Sequence, residues 1–417
     1  MDDYVADSTS QANGLIEWKS SLDAWSQQVL SSWTFAPNNG SPCNWLGVMC
    51  HHGDSITVIN LTSLSLRGNL DKFPFSSLST LAYLKLNMNH LFGTIPPHIG
   101  NLTHELLFLD LSSNYLSGAI PQEFGRLTNV KKVLLYHNLF NGSILIFVAN
   151  MSNLGYFYAY LNDFSGSIPP EIGNLPKLIG LDLSWNSLTG PIPSTFGNLT
   201  KCTLVHLFCN LLSGPIPNEA SNMKSLISLS LENNSLSGSI PASIGSLGQL
   251  KLFHVNTNNL AGCIPEELGN LNSLKRLQLH ENKLTGPVPP SIGKLRIWKL
   301  CSFVIINCLE PFLKSWETWW ILTTLILNMN YFTGLLPQNI CQGGLLRKFI
   351  ASHNQFSGQI PKSLQNCSAC WGYNWKEINW ANIYLKILVP IHGSILLFLT
   401  IIIFLVKSQV TGQVIRS

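Results

Sequence analysis

Leu181-Asp182-Leu183-Ser184-Trp185-Asn186-Ser187-Leu188-Thr189-Gly190-Pro191-Ile192-Pro193 is the stretch that decides how this chain folds. Leu181 and Leu183 alternate with polar residues, which predicts a short strand that buries both leucines and turns Asp182 and Ser184 outward. Asn186 follows among apolar positions, and an inward Asn is stable only where its amide donates to and accepts from backbone groups that would otherwise be unpaired. Gly190 permits a backbone shape closed to other residues, and Pro193, where no N–H is needed, turns the chain back along the opposite side. One such turn cannot bury its own leucines. Copies must therefore stack.

The copies are present. The Asn recurs at Asn89, Asn114, Asn138, Asn162, Asn186, Asn210, Asn234, Asn258 and Asn282, and each of the six steps from Asn138 to Asn282 is 24 residues. A fixed period of this length means a solenoid whose coils share one interior and pair their strands in parallel. The pattern begins near residue 56 with Ile59, Leu61, Leu66, Gly68 and Leu70, where Leu64 stands in place of the Asn, and it resumes late at Asn330 and Asn354. The step from Asn89 to Asn114 is 25 residues, and the surplus falls at His104-Glu105, where an outer arc tolerates a bulge. From Asn282 to Asn330 the distance is 48 residues, two periods, yet residues 297–320 lack both the Asn and the Gly-x-Ile-Pro. This coil keeps its length and loses its pattern. With permitted codon choices, a one-base shift of reading frame can give a regular coil with its Asn at position 306, and the hypothesis is that this degenerate coil is translated out of frame.

An open solenoid end exposes core, so a cap is expected over residues 1–55. Leu15, Trp18 and Leu22 make a helical stripe within Ala12 to Leu30, and a disulfide between Cys43 and Cys50 would staple the cap. The repeats run over 56–367; residues 368–384 are a Trp-rich connecting segment, 385–406 are almost wholly apolar, and 407–417 form a short tail. The 20 residues from Ile387 would span about 30 Å as a helix, enough to cross a hydrocarbon core, which predicts a transmembrane helix at 385–406. Intron sequence read through by mistake would give the same Phe, Leu and Ile bias, and both readings stand.

Only 11% of residues are charged and the net charge of +4 forms no basic stripe, which argues against nucleic acid as a partner. Eight Asn-x-Ser/Thr sequons, at Asn39, Asn60, Asn101, Asn141, Asn150, Asn198, Asn233 and Asn366, predict glycosylation and an oxidising compartment. The paired spacing of Cys43 with Cys50, and of Cys341 with Cys367, points the same way. Against it, Met1-Asp2-Asp3-Tyr4 opens the chain with no visible signal peptide. No Gly-rich phosphate loop, H-R-D or D-F-G is present, and Asp163-Phe164-Ser165 is only a repeat position. No nucleophile–base constellation or metal-ligand spacing emerges either, so neither an enzyme nor a cofactor is expected.

The Gly-x-Ile-Pro repeat, the paired-Cys cap, and Asn339-Ile340-Cys341-Gln342-Gly343-Gly344 followed by Asn366-Cys367 together resemble ectodomains of plant leucine-rich-repeat receptor-like kinases. The nearest likeness is to the male-discoverer-interacting receptor-like kinase group. The resemblance implies an α/β solenoid, a right-handed superhelix of about 12–13 plant-type coils with a parallel concave sheet and a helical amino-terminal cap. It also implies a disulfide between Cys341 and Cys367, a secreted peptide or protein ligand, a co-receptor kinase as partner, and a plasma-membrane location with the repeats outside. The chain departs from the family in its missing signal peptide, its damaged late coil and its lack of kinase motifs, so it would signal only through partners. A soluble inhibitor of a secreted wall-degrading enzyme, built on the same repeat, and a non-functional truncated receptor product are the alternatives.

The outward strand positions form the expected contact surface. Its middle is aromatic, with Tyr136 and His137, Tyr158 and Tyr160, Trp185, and His206 and Phe208; later coils turn polar at His254, Asn256 and His280. A row of exposed rings offers large area with few rotors to an extended peptide. Cys209 is read as a free thiol or a partner of Cys202.

Overall fold

The structure, a computed structural model, describes residues 2–35, 41–51, 55–102, 105–144, 148, 150–285, 289 and 291, and then the segments 300–302, 324–326, 333–335, 348–350, 355–357 and 361–365. Each coil contributes one short strand, such as Gly180–Asp182 or Leu204–His206, to a 14-stranded sheet. Neighbours pair in parallel with Leu181 opposite Val205, so the 24-residue period of the sequence becomes the register of the sheet. The sheet is not wholly parallel as expected: its first strand, Val48–His51, runs antiparallel to Ser55–Asn60. The cap's last strand and the first repeat strand are separated by three residues, too few for the crossover that parallel strands need.

Leu181 and Leu183 are fully buried, and their counterparts in the other coils form the continuous core. Ser184 departs from its predicted outward, solvated position. It is 1% exposed, with its hydroxyl donating to Asp182 Oδ1 at 2.6 Å.

The Asn column ties each coil to its neighbour. Asn210 Oδ1 accepts the Leu188 N–H at 3.0 Å, while its Nδ2 donates to the carbonyls of Leu183 and Leu207, each at 3.0 Å. The same set recurs from Asn89 to Asn282. In the first coil Leu64 instead packs half-buried against the core, and its N–H donates to Asn89 Oδ1 at 3.1 Å.

The residue just before each Asn adopts a left-handed backbone, with φ between 52° and 57° at Met88, Ser113, His137, Leu161, Trp185, Cys209, Asn233, Thr257 and Glu281. This turns the strand into the inward Asn, and it costs an L-residue roughly 1–2 kcal/mol. Asn tolerates the region best, and Asn233 already uses it. Leu161→Asn, at a side chain 41% exposed, is therefore expected to stabilise the protein by about 1 kcal/mol in urea unfolding. A neutral or destabilising result would show that the left-handed turn is not strained there.

Beyond each Asn the chain forms a second strand, and eight of these, from Arg67–Gly68 to Ser235–Leu236, make a second parallel sheet along the flank. Pro193 then leads into a 3-10 turn, Ser194–Asn198, on the convex side.

At the amino end the stripe is split into two helices, α1 (Asp2–Ser21) and α2 (Ala24–Val29). The break falls at Asp23, whose carboxylate caps the Ser26 N–H at 2.8 Å and whose own N–H donates to the Arg67 carbonyl at 3.1 Å. Trp18 packs against Trp33 with the rings tilted and centroids 6.1 Å apart, Trp33 stacks on Trp45 at 5.6 Å, and a disulfide joins Cys43 to Cys50.

In the degenerate coil, Leu300–Ser302 still occupies its slot, with Cys301 opposite Leu277 on one side and Leu325 on the other. Coil length holds the strand in register even where the Asn pattern is lost. Asn330, Asn354, Cys341 and Cys367 lie outside the described residues.

The expected transmembrane helix is corrected. Among the described residues no helix is long and apolar enough to cross a membrane, and residues 385–406 lie outside them. An apolar run meets only the length requirement for spanning.

Candidate ligand-binding face

Because side chains alternate along each strand, the concave sheet presents ranks of residues spaced by the strand separation. Tyr136 and Tyr160, one coil apart, lie ring on ring with centroids 4.6 Å apart and planes 2° from parallel. Tyr158 spreads over Gly180, where an added Cβ would sit 2.8 Å from its hydroxyl oxygen, so the glycine makes room for the ring. Burial pushes the phenols of Tyr158 and Tyr160 above their ordinary range, which keeps them as neutral donors. His137 and Trp185 sit in the left-handed column at the rim of this face, exposed. Phe208 is half-buried, with its ring 6.0 Å from that of His206.

Sequence reasoning missed several members of this face. Lys85 and Lys132 lie over Phe108 at 5.2 and 5.5 Å, and Lys132 also lies over Tyr156 at 5.5 Å. Phe108, Lys132 and Tyr156 recur at 24-residue steps in one column, a ring–cation–ring alternation that was available in the sequence, and Lys85 reaches Phe108 from the neighbouring column.

His206 lies between Asp182, 3.3 Å from Nδ1, and Ser228, 2.9 Å from Nε2. The order matches a hydrolase triad, but the rest of the machinery is missing. Ser228 is 6% exposed and its N–H is committed to the Thr203 carbonyl at 3.0 Å, so it offers no oxyanion donor. The arrangement orients an imidazole for hydrogen bonding. Among the described residues no group of three or more His, Cys, Asp or Glu could hold a metal.

Further along, Glu232, His254 and Asn256 form a polar cluster. His254 Nδ1 lies 3.9 Å from Glu232 Oε1, too long for a hydrogen bond, and Glu232 Oε2, His254 Nε2 and Asn256 Oδ1 are buried without a protein partner. Asn256 is 8% exposed, deeper than an outward strand position predicts, and His280 is half-buried. Burial, reinforced by Arg276, His206 and His280, pushes His254 down to about 4, and burial raises Glu232. Both shifts favour neutral groups.

The sign for His254 follows from linkage: the folded state binds fewer protons than the unfolded chain between about pH 4 and 6.5, so stability falls as pH falls through that window. Lowering the pH from 7.5 to 5.5 should cost about 1 kcal/mol through this residue. Glu232 acts in the opposite sense, since a raised carboxylate adds stability at low pH that is lost as pH rises. Urea unfolding at the two pH values should show the His254 dependence vanish in His254→Gln and steepen in Glu232→Gln. An unchanged slope in His254→Gln would contradict the assignment.

Cys202 and Cys209 are unpaired, so they form no disulfide with each other; burial pushes the Cys202 thiol up to about 12.

The leucine rich repeat N-terminal domain matches residues 8–51, and the leucine rich repeat matches 105–127, 177–199, 225–247, 273–295 and 345–367. The chain carries leucine-rich repeats behind a matching N-terminal repeat cap, and it is similar over those segments to several plant leucine-rich-repeat receptor-like kinases. It is similar to a probable leucine-rich repeat receptor-like protein kinase of Arabidopsis thaliana, 45% identical over 95 residues, 22% of this chain and 8% of that protein. The MDIS1-interacting receptor like kinase 2 of Arabidopsis thaliana is 43% identical over 101 residues, 24% of this chain and 10% of that one. The matched stretches thus span about a tenth or less of these relatives.

Among solved structures, the plant peptide hormone receptor RGFR1 in complex with RGF2 superposes with a TM-score of 0.69 at 35% identity, covering 79% of this chain and 55% of that one. The Arabidopsis receptor kinase HAESA, in complex with the peptide hormone IDA and the co-receptor SERK1, gives 0.68 at 27% identity, covering 89% and 70%.

Proposed function

We propose that the concave face binds an extended secreted peptide, and that the chain serves as the extracellular part of a receptor-like protein at the plant plasma membrane. The parallel tyrosine pair carries this reading. Tyr136 and Tyr160 present two stacked, partly buried rings, which is the kind of rigid anchor that dominates interface energy. The polar groups of Asp182, His206 and Ser228 lie on the strands that follow and would fix the ligand's register. Two of the similar structures are complexes with peptide hormones and one also holds a co-receptor, which supports a peptide ligand and a co-receptor kinase here. The described sequons at Asn60, Asn101, Asn141, Asn150, Asn198 and Asn233 are all exposed, which supports glycosylation and an extracellular setting. Charge on the concave face is mixed, with Asp110, Asp182 and Glu232 among Lys85, Lys132 and Arg276. That balance favours a peptide receptor over an inhibitor with a strongly cationic face.

An array of synthetic peptides 10–15 residues long, probed with the protein, tests the proposal. Selected peptides should lose about 30-fold or more in affinity to Tyr136→Ala/Tyr160→Ala, in line with two interface anchors. Binding insensitive to that double substitution would overturn it.

A further inference from the structure

A second concavity lies away from the concave sheet, where the cap meets the start of the flanking sheet. It measures about 460 Å³, within the range of small-ligand sites, and is lined by Asp23, Trp25, Arg67, His90, Phe92 and Tyr115. Three rings stand open to solvent there: Trp25 is 60% exposed, Tyr115 54% and Phe92 46%. His90 lies against Tyr115 with centroids 5.9 Å apart and planes 16° from parallel, which makes a flat platform.

The walls are fixed before any ligand arrives. The Asp23 N–H donates to the Arg67 carbonyl at 3.1 Å, the Arg67 N–H donates to Ser26 Oγ at 2.7 Å, and the His90 N–H donates to the Leu66 carbonyl at 2.8 Å. These bonds consume the backbone of the sheet's edge strand at Arg67, so a peptide cannot add there as a further strand. What remains available is side-chain chemistry. Asp23 is an ionised carboxylate, held below its ordinary range by hydrogen bonds from the side chain and backbone of Ser26. The exposed Arg67 guanidinium forms no ion pair within 4 Å among the described residues.

Flat open rings beside a fixed carboxylate and a free guanidinium suit one ligand class. A pyranose ring lays its C–H face on an aromatic plane, its hydroxyls donate to a carboxylate, and a ring carboxylate accepts both arms of a guanidinium. We propose that this concavity binds a short acidic saccharide, an oligomer of uronic acid, with its ring on Trp25 and the Tyr115–His90 platform, its carboxylate on Arg67 and a hydroxyl on Asp23. The site is independent of the peptide-binding face.

Titration calorimetry of the full chain with a galacturonate trimer, and with the same trimer methyl-esterified, tests this. The acid form should bind at least about 10-fold more tightly than the ester, as expected for loss of one charge-assisted bidentate contact. Arg67→Gln should abolish that preference, and Trp25→Ala should weaken both forms by about 10-fold or more. Both side chains are exposed, so the variants should fold, and Tyr160→Ala on the concave sheet should bind the trimer as the parent does. Absence of binding by the parent, equal affinity for acid and ester, or full affinity in Trp25→Ala would each overturn the proposal. So would self-association of the protein that Trp25→Ala abolishes, because the rings would then be covering a protein surface.

Discussion

Asn210→Leu should weaken the middle of the solenoid by about 3–5 kcal/mol. The amide of Asn210 is 7% exposed and serves four backbone groups: the Leu188 N–H and the carbonyls of Leu183, Leu207 and Phe208. Leucine has the same branched heavy-atom skeleton and no polar atom, so the apolar surroundings stay filled while buried backbone groups in two coils lose their partners, each at about 1–3 kcal/mol. Repeat proteins can open locally, so the most telling readout is hydrogen exchange at the Leu188 amide, beside a global urea curve. Exchange there should accelerate on the order of 100-fold or more. A loss under about 1 kcal/mol with unchanged exchange would mean that the Asn column is a passenger and that leucine packing alone holds the coils together.

Gly197→Ala should cost about 2–3 kcal/mol, a large effect for one methyl group on the convex side. An added Cβ would stand 2.5 Å from the Glu219 carbonyl oxygen and 2.8 Å from the Glu219 Cβ. The first of these atoms is backbone of the next coil, which cannot swing aside, so the turns Ser194–Asn198 and Asn218–Asn222 must separate. Gly173, Gly245 and Gly269 face the next coil in the same way. Gly248 provides the control: nothing lies within 4 Å of its added Cβ, so Gly248→Ala should be neutral or slightly stabilising. Thermal unfolding of the two variants decides the matter. Equal melting temperatures would show that the coils are spaced more loosely than this geometry requires.

Much of the fold was legible because one residue of each type does one job per coil. The leucines at 181 and 183 fix the strand, Asn186 fixes its neighbour, and Gly190 with Pro193 turns the chain. The second sheet was not legible, because Ser187 to Gly190 has no alternating pattern of its own and pairs only once the first sheet has set the coil spacing. The left-handed column was hidden for a related reason: Leu161, Trp185 and Thr257 are poor left-handed residues, and the inward Asn overrides their preference. On the candidate site, single rings and imidazoles could be named from the sequence, but their partners could not. Tyr160 finds Tyr136 and His206 finds Asp182 across a 24-residue step, and Ser184 and Asn256 sink because neighbours on both flanking coils shelter them. The apolar run at 385–406 has the length of a spanning helix and lies outside the described residues, among which no helix is long and apolar enough to cross a membrane.

From Tyr136 to His280 the concave face advances six coils, the difference of 144 residues divided by 24. At about 4.8 Å per strand and 3.3 Å per peptide residue, an extended ligand covers that distance with roughly nine residues, moving about one and a half residues per coil. Photo-cross-linking from p-benzoylphenylalanine placed in turn at positions 137, 161, 185, 208 and 256, to a peptide selected on the array, measures this directly. The account predicts that the cross-linked peptide residue shifts steadily in one direction from coil to coil at that rate. Cross-links that collect at one coil, or that arise from the convex turns instead, would contradict it.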